Sequence, residues 1–218
     1  MDLADATLDE LRAALAPTVA ENAAFDGWNF KALDASADAM GVDRDVARLA
    51  FSEGAVAMID TWFAHIDAGM LERLTPEKLV AMKIRERVAA LVEARLELLA
   101  PNRESLRRAL ATLALPQNVA KGARLGWRSA DTMWRAAGDT ATDYNHYTKR
   151  AILGAVYAAT MTVFLDDESE DYADTRAFLS RRIDGIMRFE KAKAQWLRPA
   201  EHRFSLSRFI GRLRYPAV

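Results

Sequence analysis

No long segment of this chain shows the alternation of apolar and polar residues, with a period of two, that a half-buried strand requires. Apolar spacings of three and four recur instead. They are clearest in EKLVAMKIRERVAALVEARLELLA, where Leu79, Met82, Val88, Leu91, Val92, Leu96 and Leu99 share one side and Arg and Glu take the other. Only 10 Gly and 6 Pro interrupt 218 residues rich in Ala, Leu, Arg and Glu, which favours helix throughout. The fold class is therefore all-α.

The breaks between helices are legible. Thr7 or Asp9 caps a first helix that Pro17 bends or shortens. FDGW (25–28) is a turn, and Asn29 caps a helix reaching Met40, with Gly41 suited to its left-handed end. Asp43 caps a short third helix, and Ser52 begins a longer one through Leu74. Thr75-Pro76 opens a fifth, which Pro101 ends, and Pro116 separates the next two. AGDTATDYN (137–145) is a loop leading into a helix that begins near Tyr144. DDESEDYADT (166–175) opens a helix to about Leu197, and Pro199 precedes a last short one.

Several chemistries are excluded. With no cysteine there is no disulfide, thiolate metal site or cysteine nucleophile. His65, His146 and His202 are scattered, and the residues three before them are Trp62, Asp143 and Pro199, so no Glu-x-x-His pair for a di-iron site exists. There is no phosphate loop, dinucleotide fingerprint or nucleophile elbow. The acidic run Asp166, Asp167, Glu168 suits the positive end of the helix after it. The protein is expected to be non-enzymatic and to need no cofactor or metal. The acidic N-terminus has neither a signal core nor a transit pattern. The charge-free run 151–165 falls short of the roughly 20 apolar residues a bilayer span takes.

Three features carry functional information. Residues 1–51 have the outline of a helix-turn-helix, whose last helix would read the major groove. Yet residues 1–50 hold ten acids and four bases, and only Arg44 and Arg48 lie on that helix. Duplex DNA is held chiefly by cations, so this surface disfavours it. The second feature is AILGAVYAATMTVFL (151–165). A helix apolar all round is either buried or lines a cavity, and composition alone favours plain core. The third is RFSLSRFIGRLRY (203–215). On a helix, Leu206, Phe209, Ile210 and Leu213 share one arc bordered by Arg203, Arg212 and Arg214. Residues 203–218 carry no acid, which suits an amphipathic helix lying on an anionic membrane surface.

FDGW, MKIRERV, DTMWRAAGDTATDYNHYTKRAILGAVYAAT and DDESEDYADTRAFLSRRI closely resemble the ubiquinone biosynthesis accessory protein nine (Coq-nine) family over about residues 24–190. The resemblance implies a TetR-like fold without transcriptional activity, binding of a lipid such as an isoprenoid quinone, and assistance to the demethoxyubiquinone hydroxylase. It turns the uncharged helix into an expected pocket wall. Its candidate lining, inferred from the apolar pattern, is Trp127, Trp134, Ile152, Val156, Tyr157, Thr160 and Phe164. The hydroxylase-docking patch of the family falls on Asp131, Met133, Trp134, Asp139, Asp143, His146, Tyr147 and Arg150. The family's usual Trp-Tyr pair is His146-Tyr147 here, so the first anchor offers less apolar surface.

The resulting expectation is a TetR-like lipid-binding domain over 1–198 and a membrane-contact helix over 199–218. The protein would be homodimeric, bacterial, and peripheral on the cytoplasmic side of the inner membrane. It would engage no nucleic acid. A ligand-responsive TetR-type regulator is the alternative.

Overall fold

The computed structural model describes residues 3–140 and 144–196; of residues 4, 144, 145, 187 and 189–196 it describes the backbone alone. The chain divides into two units, Met1–Arg181 and Arg182–Val218. Every regular element among the described residues is helical: α1 (Leu8–Asp26), α2 (Phe30–Ala39), α3 (Arg44–Ala50), α4 (Ala55–Arg73), α5 (Pro76–Val80), α6 (Ile84–Leu99), α7 (Arg103–Leu113), α8 (Val119–Ala136), α9 (Tyr144–Asp166) and α10 (Ala173–Trp196), with three short 3₁₀ turns. α10 crosses from the first unit into the second, of which the described part, Arg182 to Trp196, is all helix. The expected terminal helix, 199–218, lies outside the described residues.

Local chemistry sets the N-terminal boundaries. Thr7 caps α1 in a reciprocal box with Glu10. Asn29 accepts from the amides of Lys31 and Ala32, and Asp43 from those of Asp45 and Val46. Gly41, at φ +68°, makes the turn between α2 and α3. Pro17 does not shorten α1: the helix runs on through it, with Leu11, Leu15, Ala16, Val19, Ala20 and Ala23 buried against its neighbours. Packing on that face outweighs the lost hydrogen bond. α4 begins at Ala55 rather than Ser52, because Phe51 to Gly54 closes a turn in which Gly54 sits at φ +76°.

α4 is the central helix, packing on α1, α6, α7 and α8. Trp62 at its middle stacks on Trp28 (5.3 Å) and Phe63 (5.5 Å). The Trp28 indole N–H donates to the Ser105 carbonyl (2.9 Å), tying the FDGW turn to α7.

Two expectations for residues 76–99 need correction. The helix is broken at residues 81–83, although neither Gly nor Pro stands there. The Glu86 carboxylate accepts from the Lys83 amide, and Arg87 donates to the Met82 and Val80 carbonyls (2.9 and 3.2 Å), so side chains take up the freed backbone groups. Nor do all the arginines face outward. Arg95 is 0% exposed. It pairs with Asp67 on α4, donates to the Tyr157 hydroxyl on α9 (3.0 Å), and lies 5.1 Å from the centre of that ring.

The corner between α9 and α10 is built on Asp167. One carboxylate oxygen accepts from the Ser169 amide and hydroxyl, the other from those of Thr175. Arg103 closes the corner from α7, donating to the Leu165 carbonyl (2.7 Å) and lying over the Phe164 and Tyr172 rings. Burial alone would raise the Asp167 pKa, but the Ser169 and Thr175 hydrogen bonds outweigh it and hold the carboxyl well below the usual 3.8. A depressed folded-state pKa contributes stability that is full above the unfolded value and lost as pH falls through the folded one. Asp167→Ala should therefore cost about 1–3 kcal/mol at neutral pH. In urea melts its deficit relative to the parent should shrink as pH falls below about 4; a constant deficit down to pH 2 would contradict this account.

Candidate functional site

Most of the expected docking residues gather at the junction of α8 and α9. Arg150, only 2% exposed, is held by two carboxylates: its Nε donates to Asp131 on α8, and its Nη1 donates to Asp139 (3.0 Å) in the loop between the helices. Nη1 also donates to the His146 carbonyl (3.0 Å). Lys149 binds the other Asp139 oxygen (2.6 Å), and its ammonium lies 5.4 Å from the centre of the Trp134 ring. The Trp134 indole N–H donates to the Lys149 carbonyl (2.9 Å), so each helix grips the backbone or side chains of the other. Burial would raise the Asp131 pKa, but Arg150 and Arg135 more than offset it, and the carboxyl stays ionised below its usual range.

The loop is anchored from outside as well. Arg87 on α6 donates to the Ala137 carbonyl (2.9 Å) at the end of α8. Gly138 follows at φ +92°, where a Cβ would meet the Arg87 guanidinium at 3.2 Å; a side chain there would be both strained and crowded.

This geometry divides the expected docking residues. Met133 and Arg150 are buried and the Asp139 carboxylate nearly so, so they position the surface rather than form it. Asp131, Trp134 and His146 are partly accessible, and Tyr147 is 62% exposed. Asp143 lies outside the described residues. Beside Tyr147 stand His146 (ring centres 5.1 Å apart) and Trp127 from α8 (6.1 Å). Trp127, expected in a pocket lining, is thus at the surface in an aromatic cluster. Periodicity gave no sign of this, because α8 does not bury all its apolar residues.

The remaining lining candidates separate. Val156, Tyr157, Thr160 and Phe164 are buried on the inward side of α9, whereas Ile152 and Trp134 are half-buried. The helix is not enclosed all round. Ala151, Ala155, Ala158 and Thr162 form an exposed stripe along it, spaced for one helix face. Small uncharged side chains at these positions made the sequence look uniformly apolar.

The N-terminal three-helix unit has its own electrostatic arrangement. Arg44 forms a two-pronged pair with Asp38 (2.8 and 2.6 Å), and Arg48 one with Asp34 (2.9 and 2.6 Å). Both cations of the third helix are thus engaged by carboxylates of the second. Between them the outward face of α3 presents Val46 and Leu49, the latter 60% exposed.

Residues 119–190, which contain α8, α9 and most of α10, match the family model described as COQ9. The chain is 34% identical over 168 residues to the mitochondrial ubiquinone biosynthesis protein COQ9 of Rattus norvegicus, an alignment spanning 74% of this chain and 54% of that protein. It is 33% identical over 172 residues to the protein of that name from Homo sapiens, spanning 74% and 52%. The chain thus spans about half the length of these relatives. In three dimensions it is similar to a TetR transcriptional regulator from Nitrosomonas europaea, with a TM-score of 0.65 and 25% identity, covering 82% of this chain and 98% of that one. The fold is TetR-like, the matched segment is the one that builds the α8–α9 junction, and the chain belongs to the COQ9 family.

Proposed function

We propose that this protein is a non-catalytic accessory factor of ubiquinone biosynthesis. It binds a polyprenylated quinone intermediate at the membrane and presents it to the demethoxyubiquinone hydroxylase. The observation that carries this reading is the exposed aromatic cluster of Tyr147, His146 and Trp127 standing on the Arg150 clamp, within the segment that matches the COQ9 model. A rigidly backed aromatic group at the surface is the composition of a protein-docking anchor. The relatives' names supply the pathway.

The lipid part rests on physical need. An isoprenoid tail costs roughly 0.8 kcal/mol per CH₂ to expose to water, so a carrier must cover it. The inward side of α9, with Val156, Tyr157, Thr160 and Phe164, is the wall we assign to it. Among the described residues no helix is long and apolar enough to cross a membrane. Residues Arg203, Leu206, Phe209, Ile210, Arg212, Leu213 and Arg214 are proposed to rest on the bilayer, with a second copy of the chain as partner; they lie outside the described residues. The alternative, a TetR-type regulator, is disfavoured by the engagement of Arg44 and Arg48 with carboxylates, which takes from α3 the cations that phosphate binding would need.

Two variants separate docking from folding. Tyr147→Ala should leave thermal stability unchanged and weaken capture of the hydroxylase by about tenfold or more. Arg150→Met leaves Asp131 and Asp139 without their buried partner and should lower stability by about 3–5 kcal/mol, with capture lost alongside. Equal capture by Tyr147→Ala and the parent would sink the docking surface. At the level of the cell, deletion should deplete ubiquinone and accumulate its demethoxy precursor in mass spectra of lipid extracts; an unchanged quinone profile would remove the protein from that step.

A further inference from the structure

A pocket of about 230 Å³ lies between the N-terminal unit, the start of α4 and the first half of α8, far along α8 from the Arg150 clamp. Its polar lining is Arg12, Ser52, Glu53, Asp60, Thr61, Lys121 and Arg124, and its apolar lining includes Val56 and Leu125. Five of these groups are charged, and their commitments differ. Arg12 pairs with Asp9 (2.6 Å) and donates to the Ala50 carbonyl. Asp60 is taken by Arg128. Lys121, Arg124 and Glu53 have no ion-pair partner among the described residues, which leaves two free cations against one free carboxylate.

Lys121 and Arg124 are three apart on α8 and therefore share a face, where like charges repel. They do so at the rim of a concave site that a third cation also lines. The helix that begins beside it, α4, has no side-chain cap, so its positive end adds to the field. An anion in the pocket would relieve the repulsion and gain charge-assisted hydrogen bonds from both side chains. The volume is several times the roughly 30 Å³ that one water occupies in the liquid, enough for a phosphate bearing a short substituent.

We infer that this pocket is a binding site for a phosphate monoester, with Lys121 and Arg124 as its principal ligands and Arg12 as support. Glu53 tempers the site: its carboxylate opposes the charge of the bound phosphate. The phosphate can come from a soluble ester or from a lipid headgroup.

The test uses the full chain and glycerol 3-phosphate, by calorimetric titration and by thermal shift, with sodium chloride at matched ionic strength as control. Saturable binding is expected, with a rise in Tm that chloride does not reproduce. Lys121→Ala/Arg124→Ala, two exposed positions whose change leaves the fold intact, should weaken binding by about tenfold or more. Glu53→Gln should tighten it. Phosphatidylcholine vesicles containing phosphatidic acid then separate the sources. Weaker vesicle binding by the double variant than by the parent assigns the site to a lipid headgroup; equal vesicle binding, with the soluble ester lost, assigns it to a free ester. A thermal shift no larger than chloride gives, or a double variant that binds glycerol 3-phosphate as the parent does, overturns the site.

Discussion

The α8–α9 junction depends on one buried cation. Arg150 cannot be desolvated without compensation, since an unpaired charge in the interior costs several kcal/mol. Asp131 and Asp139 supply that compensation from two different places, a helix face and a loop, and the His146 carbonyl takes a further donor. Such a geometry admits few alternatives: displacing the loop strands Asp139 and Lys149 together, and sliding α9 along α8 strands Asp131. Side-chain ion pairs here do what a packed apolar contact cannot, because they specify direction as well as proximity. The exposed Tyr147 stands one residue beyond the peptide oxygen that Arg150 holds, so its placement follows from this charge arrangement.

The same device recurs between α2 and α3 with the opposite effect. In the N-terminal unit, carboxylates of α2 hold the two arginines of α3, and there the pairs are exposed. Exposed pairs contribute little stability, typically under about 1 kcal/mol. Their consequence is electrostatic: they remove positive potential from the surface that a DNA-binding relative of the fold would present. Val46 and Leu49 then become the prominent side chains of a helix that has kept its shape.

Most of the architecture was legible in the sequence because helix ends are local. Thr7, Asn29 and Asp43 each satisfy amides within three residues, so their meaning does not depend on the rest of the chain. The break at 81–83 was not legible, since the groups that satisfy it come from Arg87, whose guanidinium also reaches Ala137, fifty residues away. Arg95 had a signal that charge obscured: with Leu91 and Leu99 it forms a run at spacings of four, on the stripe that must be buried. Its partners, Asp67 and Tyr157, lie on distant helices. At the candidate site, a family pattern does not distinguish an exposed residue, such as Tyr147, from one buried beneath the surface, such as Arg150; burial does.

Arg87 has a mechanical consequence. A single guanidinium holds the carbonyls of Val80, Met82 and Ala137, so the kink between α5 and α6 and the loop after α8 form one structural joint. Opening either strands donors of the guanidinium that the other still holds. Val80, 72% exposed at that kink, is thereby linked through Arg87 to the end of the helix that carries Trp127, although most of three helices separates them in the chain. One planar, charged group thus ties both edges together, and Gly138 is the clearance in which it is seated.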